Sequence, residues 1–233
     1  MGPVTESDAL QRISISEQAQ RLSEPFTMID LAQVDDLAVS IYLCQGTMPH
    51  HRHLDQDELF LAHSGTISLQ SDWGNVILRR GELSVAPKGV GHRSSSLLRS
   101  TVLLLQPRLM VNRRNGDRRL FVLKDERRLE KVSVPAMGRQ IVAPFCPVAV
   151  ADVDTFALTV MRCVGTGSWQ QELRQQSLVL CHDGNLTVHT EQEQVPLAAS
   201  ELLVVPSGTR HRLASDEGAH VLGLRRHQPP GLP

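Results

Sequence analysis

A chain of 233 residues that is 41% hydrophobic can bury a core, as one large domain or as two of about 100–120 residues, so disorder is not its default state. A net charge of −1 argues against general affinity for nucleic acid or an anionic membrane surface, and no apolar run approaches membrane-spanning length. The four cysteines form no CxxC pair and the first residues lack the basic and apolar regions of a signal peptide, which predicts free thiols in a reducing cytoplasm.

In chain order, residues 1–9 are polar and read as a frayed end. Ile13-Ser14-Ile15 alternates like a short strand, and Ser16 to Leu22 predicts one or two helical turns ended by Pro25. Phe26–Leu31 and Leu37–Cys44 read as strands around a turn at Val34-Asp35-Asp36. His51 and His53 are two apart, so on an extended strand both imidazoles leave one face. Glu58 opens the β-rich run Glu58–Ala62, and Thr66–Gln70 follows a turn at Ser64-Gly65. Asn75–Leu78, Glu82–Ala86 and Thr101–Leu105 complete the set, with turns at Asp72-Trp73-Gly74 and Arg80-Gly81. Short strands with turns at such close spacing predict an all-β sandwich or barrel.

An arginine-rich linker, 108–128, follows. Asn115-Gly116 suits a type I′ turn, with Leu109–Val111 and Leu120–Val122 as arms of a hairpin. Its arginines interleave with Asp117, Asp125, Glu126 and Glu130 and lack aromatic partners, so the expected role is a solvated face. Beyond it the chain repeats itself without gaps. At an offset of 119 residues, Cys44 meets Cys163, His63 meets His182, Gly65 meets Gly184, Glu82-Leu83 meets Glu201-Leu202 and His92-Arg93 meets His211-Arg212. This divides the chain into 1–107, the linker 108–128, a second copy at 129–226 and an irregular tail at 227–233.

Two motifs in the first copy carry chemistry. Gly46, four residues, His51-Arg52-His53, four residues, Glu58, six residues, Gly65 is followed by Gly81-x5-Pro87-x-Gly89-x2-His92. Together they resemble the two motifs of the cupin superfamily, the first one residue short at its start. The resemblance extends over both copies and implies a bicupin, two tandem jelly-roll (double-stranded β-helix) barrels. It also implies that His51, His53, Glu58 and His92 ligate one divalent transition metal, Fe, Mn, Ni, Zn, Co or Cu, in the N-terminal barrel. Four ligands on an octahedral ion leave two positions for water, substrate or dioxygen.

The second copy has lost this set. His51 becomes Gln170, His53 becomes Glu172, Glu58 becomes Ser177, and His92 alone survives as His211. Copy two is therefore expected to be structural or to bind an uncharged ligand. His63 recurs as His182 where no ligand set remains, which assigns it to packing or an interface. His50 has the wrong parity beside His51, Asp55 and Asp57 read as solvated loop carboxylates, and Cys44 and Cys163 as small buried residues. The resemblance implies a metal-dependent enzyme acting on a small oxygen-bearing organic molecule, of dioxygenase or isomerase type. The alternative is a non-catalytic binding or sensor protein. Such barrels commonly pair, either between chains as a homodimer or between the two copies within one chain.

Overall fold

The computed structural model describes residues 10–108, 113–115 and 128–227. The chain opens with β1 (Ile13–Ser14) and α1 (Ile15–Gln20). There follow β2 (Met28–Val34), β3 (Leu37–Thr47), β4 (His51–His53), β5 (Glu58–Ser64), β6 (Thr66–Ser71), β7 (Gly74–Arg79), β8 (Glu82–Ala86), β9 (His92–Pro107) and β10 (Arg113–Asn115). The second half holds β11 (Val132–Ser133), α2 (Val134–Gln140), β12 (Val148–Val153), β13 (Phe156–Thr166), β14 (Ser177–Thr190), β15 (Gln194–Ala198), β16 (Glu201–Val205) and β17 (His211–Arg226). All pairings are antiparallel, and the strands form two sheets that roll up as separate jelly-roll barrels, one in each half of the chain.

The helical turns expected at Ser16–Leu22 fall at Ile15–Gln20, with Ser14 as the N-cap of α1, its hydroxyl accepting from the Glu17 amide at 3.3 Å. Ser133, 119 residues on, caps α2 in the same way through the Ala136 amide. The expected strand Thr101–Leu105 is the end of the much longer β9. The hairpin arms expected at 109–111 and 120–122 lie outside the described residues, and Asn115 is the last residue of β10, which runs antiparallel to β4.

The sheets do not keep strictly to their own halves. β1 pairs with β16, Ile13 opposite Leu202 and Ser14 opposite Glu201, so the first strand belongs to the second barrel. Reciprocally β11 pairs with β8, Val132 opposite Leu83 and Ser133 opposite Glu82. Each strand then turns into its helix with the same bond: Ile15 N–H donates to Ser200 O and Val134 N–H donates to Gly81 O, both at 2.9 Å. Side-chain clamps follow this two-fold pattern. Asp154 N–H donates to Asp57 Oδ2 and Asp57 N–H to Asp154 Oδ2, at 2.9 and 3.1 Å. Asp35 and Gln176 exchange the equivalent pair of bonds at 2.8 and 3.2 Å.

Hydrophobic burial follows the exchange. The largest apolar cluster is shared between barrels, with Ile15, Leu59 and Leu105 against Val134, Phe156 and Leu202, while each barrel keeps a smaller cluster of its own. No helix among the described residues is long and apolar enough to cross a membrane.

Candidate metal centre

Three strands of the first barrel aim four side chains at one point. β3 shifts register at Gly46, whose φ of +88° a residue with a Cβ adopts only under strain, and β4, which follows it, pairs with β9 so that His51 lies opposite His92. Period-two alternation puts His51 and His53 on the inner face. Glu58 begins β5 opposite Ala86 of β8. The turn of the second motif is tied to the strand of the first, since Gly89 N–H donates to His53 O at 2.6 Å. β10 runs along the other side of β4, with Asn115 opposite His51 and Arg113 opposite His53.

The result is a buried group of three imidazoles and one carboxylate whose donor atoms all lie within 4.8 Å of one another. Glu58 Oε2 is the hub, 2.6 Å from His92 Nε2, 3.2 Å from His53 Nε2 and 3.8 Å from His51 Nε2. Burial alone pushes the Glu58 carboxyl up, but the imidazoles of His53 and His92 outweigh it and hold the group well below the usual carboxylate range. Glu58 is therefore ionised at neutral pH.

The donor set fits a transition metal. His51 Nδ1 and His92 Nδ1 each lie 2.9 Å from a backbone carbonyl, of Pro49 and Val90, so both nitrogens carry hydrogen and donate outward. That fixes the ring orientation and leaves each Nε2 to face the centre. His92 Nε2 faces Glu58 Oε2 at 2.6 Å, the position in which it would meet an ion shared with the carboxylate. His53 Nε2, buried beside Glu58, makes no hydrogen bond of acceptable geometry.

Around the donors the free volume is about 30 Å³, walled by Phe26, Met28, Tyr42, Met48, Phe60 and Leu104. The Phe60 ring meets His92 edge-on at 5.7 Å. Tyr42 donates its hydroxyl to Ser94 Oγ at 2.9 Å, and burial pushes its pKa well above the ordinary value. These wall residues carry no motif; they come from several strands and loops, and of them only Tyr42 lies in β3, where residues of both faces are buried.

The remaining sequence candidates sit elsewhere. His50 packs over Gly91 beside Asp72, outside the donor group. His63 and His182 line a small gap between the barrels, as expected of interface residues. Asp57 departs from the expected solvated loop carboxylate: its two oxygens accept from the Lys88 and Asp154 amides, which makes it a clamp between the barrels. In the second barrel Gln170 and His211 keep the backbone bridge of His51 and His92, and no second metal-binding cluster occurs among the described residues.

Residues 150–231 match a family model described as Cupin, which falls on the half that lacks the donor group. The protein YdbB of Bacillus subtilis (strain 168) is 27% identical over 89 residues, 38% of this chain and 79% of that protein. Among solved structures, salicylate 1,2-dioxygenase from Pseudoaminobacter salicylatoxidans, as its gentisate adduct, superposes with a TM-score of 0.75 at 13% identity, covering 94% of this chain and 81% of its own. A cupin 2 conserved barrel domain protein from Leptotrichia buccalis superposes with a TM-score of 0.69 at 7% identity, covering 97% of this chain and 100% of its own.

Proposed function

We infer that the chain is a cupin, that its first barrel holds one divalent transition metal and that the protein is a metal-dependent enzyme acting on a small oxygen-bearing organic substrate. The observation that carries this reading is the convergence of His51, His53, Glu58 and His92 in a buried site whose charges and tautomers suit an ion. A dioxygenase is the first choice of reaction, because the gentisate-bound salicylate 1,2-dioxygenase shares the fold over most of the chain. An isomerase is the second. When bound, a metal of this kind supplies Lewis-acid polarisation of a substrate oxygen or activation of dioxygen.

The protein's own residues prepare the site for that chemistry. The backbone carbonyls of Pro49 and Val90 lock two ligand rings before any ion arrives, which lowers the cost of ordering them. Glu58 contributes an anion already desolvated. Phe60, Met48 and Leu104 exclude water from the substrate side. Tyr42 keeps a hydroxyl hydrogen at the wall, within the cavity a substrate oxygen would enter. Met28, at the same cavity and 43% exposed, marks the mouth.

Elemental analysis of the purified protein, followed by oxygen uptake by the iron-loaded form, tests the proposal. Gentisate, salicylate, catechols, flavonols and β-diketones form the substrate panel. The expected result is uptake with one of these classes, lost in His53→Ala. A protein that neither contains nor binds a transition metal would sink the reading. A second reading, a binding or sensor protein, is favoured by the small free volume beside the donors. It predicts metal-dependent ligand binding with no turnover of any panel member.

A further inference from the structure

The second barrel has a cavity at the place where the first keeps its histidines, and the two are lined by residues 119 positions apart. Tyr42 is matched by Met161, Phe60 by Val179 and Leu104 by Gly223. Each exchange removes side-chain bulk, and the free volume rises from about 30 Å³ to about 110 Å³. Gly223 is the most telling of these. It lies inside β17 with ordinary strand backbone, so its conformation does not require glycine. The group that comes close at its missing Cβ is Thr159 Oγ1, which a Cβ there would meet at 3.0 Å, and Thr159 itself lines the cavity.

The polar groups have changed in a consistent direction. His211 keeps the bond of its counterpart, Nδ1–H donating to Thr209 O at 3.1 Å. Its Nε2 then accepts from the Gln170 amide nitrogen, also at 3.1 Å, where His51 stands in the first barrel. Burial pushes the His211 pKa down, so the ring is neutral. Glu172, in place of His53, faces Arg225, in place of Gln106, at 3.4 Å, and the arginine is half exposed at the rim. The cationic and anionic groups cancel, Ser177 adds a hydroxyl, and Phe145, Val179, Leu213 and Val221 supply apolar wall.

We propose that the second barrel binds a small uncharged organic molecule without a metal, an apolar body of about six to eight non-hydrogen atoms bearing one hydroxyl or carbonyl group. The size follows from the volume, since a dry cavity of about 150 Å³ takes a benzene ring, and this one, at about 110 Å³, is about a quarter smaller but open at one side, so part of the ligand stays in the mouth. The lack of charge follows from the Glu172–Arg225 pair, which a charged ligand would have to break. The polar head follows from Gln170, Ser177 and His211, gathered at the point the first barrel gives to its donors.

The test uses the full chain, stripped of metal with a chelator and carrying Trp73→Phe. Trp169, next to Gln170 and flanked by the guanidinium groups of Arg210 and Arg212, is then the sole tryptophan. Cyclohexanol is titrated against it, with cyclohexanecarboxylate as the charged counterpart, and calorimetry counts the sites. The expected result is saturable cyclohexanol binding with a Kd in the millimolar range or tighter, weakened at least about tenfold by Gly223→Leu and likewise by Val179→Phe. Both variants restore the bulk found in the first barrel, and circular dichroism verifies that each is folded. The proposal is overturned if cyclohexanol shows no saturable binding, if neither folded variant weakens it, or if cyclohexanecarboxylate binds more tightly than the alcohol.

Discussion

Replacing Glu58 by glutamine isolates the electrostatic part of the candidate centre. The side chain keeps its shape and one carbonyl oxygen but loses the buried charge that lies 2.6, 3.2 and 3.8 Å from three imidazole nitrogens. In metal-free protein the bond from His92 falls from a charge-assisted one, worth about 1.5–3 kcal/mol, to a neutral one of about 0.5–1.5 kcal/mol. The loss is then about 1–2 kcal/mol. It is fully expressed at pH 7.5: a carboxyl depressed on folding stabilises above its unfolded pKa of about 4.3 and ceases to do so as the pH falls through its folded value. With metal the contrast grows. A free ion concentration one hundred times Kd stabilises the wild-type chain by about 2.7 kcal/mol. Outer partners of metal ligands already matter by about 10–100-fold in affinity, and a lost ligand by at least the upper figure. At the same ion concentration a hundredfold weaker site leaves a gain of about 0.4 kcal/mol. For a chain of this length about 2–4 °C accompanies each kcal/mol, so calorimetric melting should rise by about 5–11 °C in wild type and by about 1–2 °C in Glu58→Gln. Zn²⁺, Mn²⁺, Ni²⁺ and anaerobic Fe²⁺ are compared after chelation. A variant that keeps the whole metal-induced rise would refute the assignment of the carboxylate as a ligand.

Three further outcomes are expected. Ile15→Ala, at a side chain 1% exposed in the cluster shared by both barrels, should cost about 2–5 kcal/mol in urea unfolding while the two barrels still melt together; separate transitions would contradict the shared core. Burial lowers the pKa of His63 and His182, with Arg80 acting in the same direction on both. The unfolded chain therefore binds more protons just below about pH 6.5, and stability is full above that value and falls as the pH drops below it towards the lowered folded values. The double variant His63→Gln, His182→Gln should show a shallower fall, and an unchanged slope would refute the attribution. Burial also pushes the thiols of Cys44 to about 11 and of Cys163 and Cys181 to about 12, whereas Cys146 is exposed. A colorimetric disulfide reagent at pH 8 should accordingly titrate one thiol in native protein and four after unfolding, and a second fast thiol would count against the burial argument.

The donors of the first barrel were legible because each motif is local: the two histidines, the glutamate and the glycines that shape their turns sit within short stretches of chain. Their cavity wall was not. Its residues are scattered over several strands and loops, and around the one that β3 supplies, Tyr42, the neighbours Leu43 and Cys44 are also buried, so the alternation that would tell inside from outside is erased. β9 was truncated in the reading for the opposite reason, since Leu97 and Leu98 are 98% and 77% exposed in the middle of a serine-rich run that resembles a loop. The role of Asp57 depends on Asp154, 97 residues away, and that of β1 on a strand near the far end of the chain. Neither partner leaves a trace in the local sequence.

The strand exchange also sets an order for synthesis. When the first barrel's own strands have left the ribosome, β8 still lacks Val132–Ser133 along its edge, and Ile13 waits for Leu202, 189 residues further along the chain. An emerging first half thus presents an unpaired edge and an apolar face that later residues must cover, the kind of exposure that invites association between nascent chains. Closing a loop of that span slows the final step of folding even though the finished pairing is short. Splitting the gene at the linker would give two fragments, each holding a strand that belongs to the other, and co-expression should recover what neither forms alone.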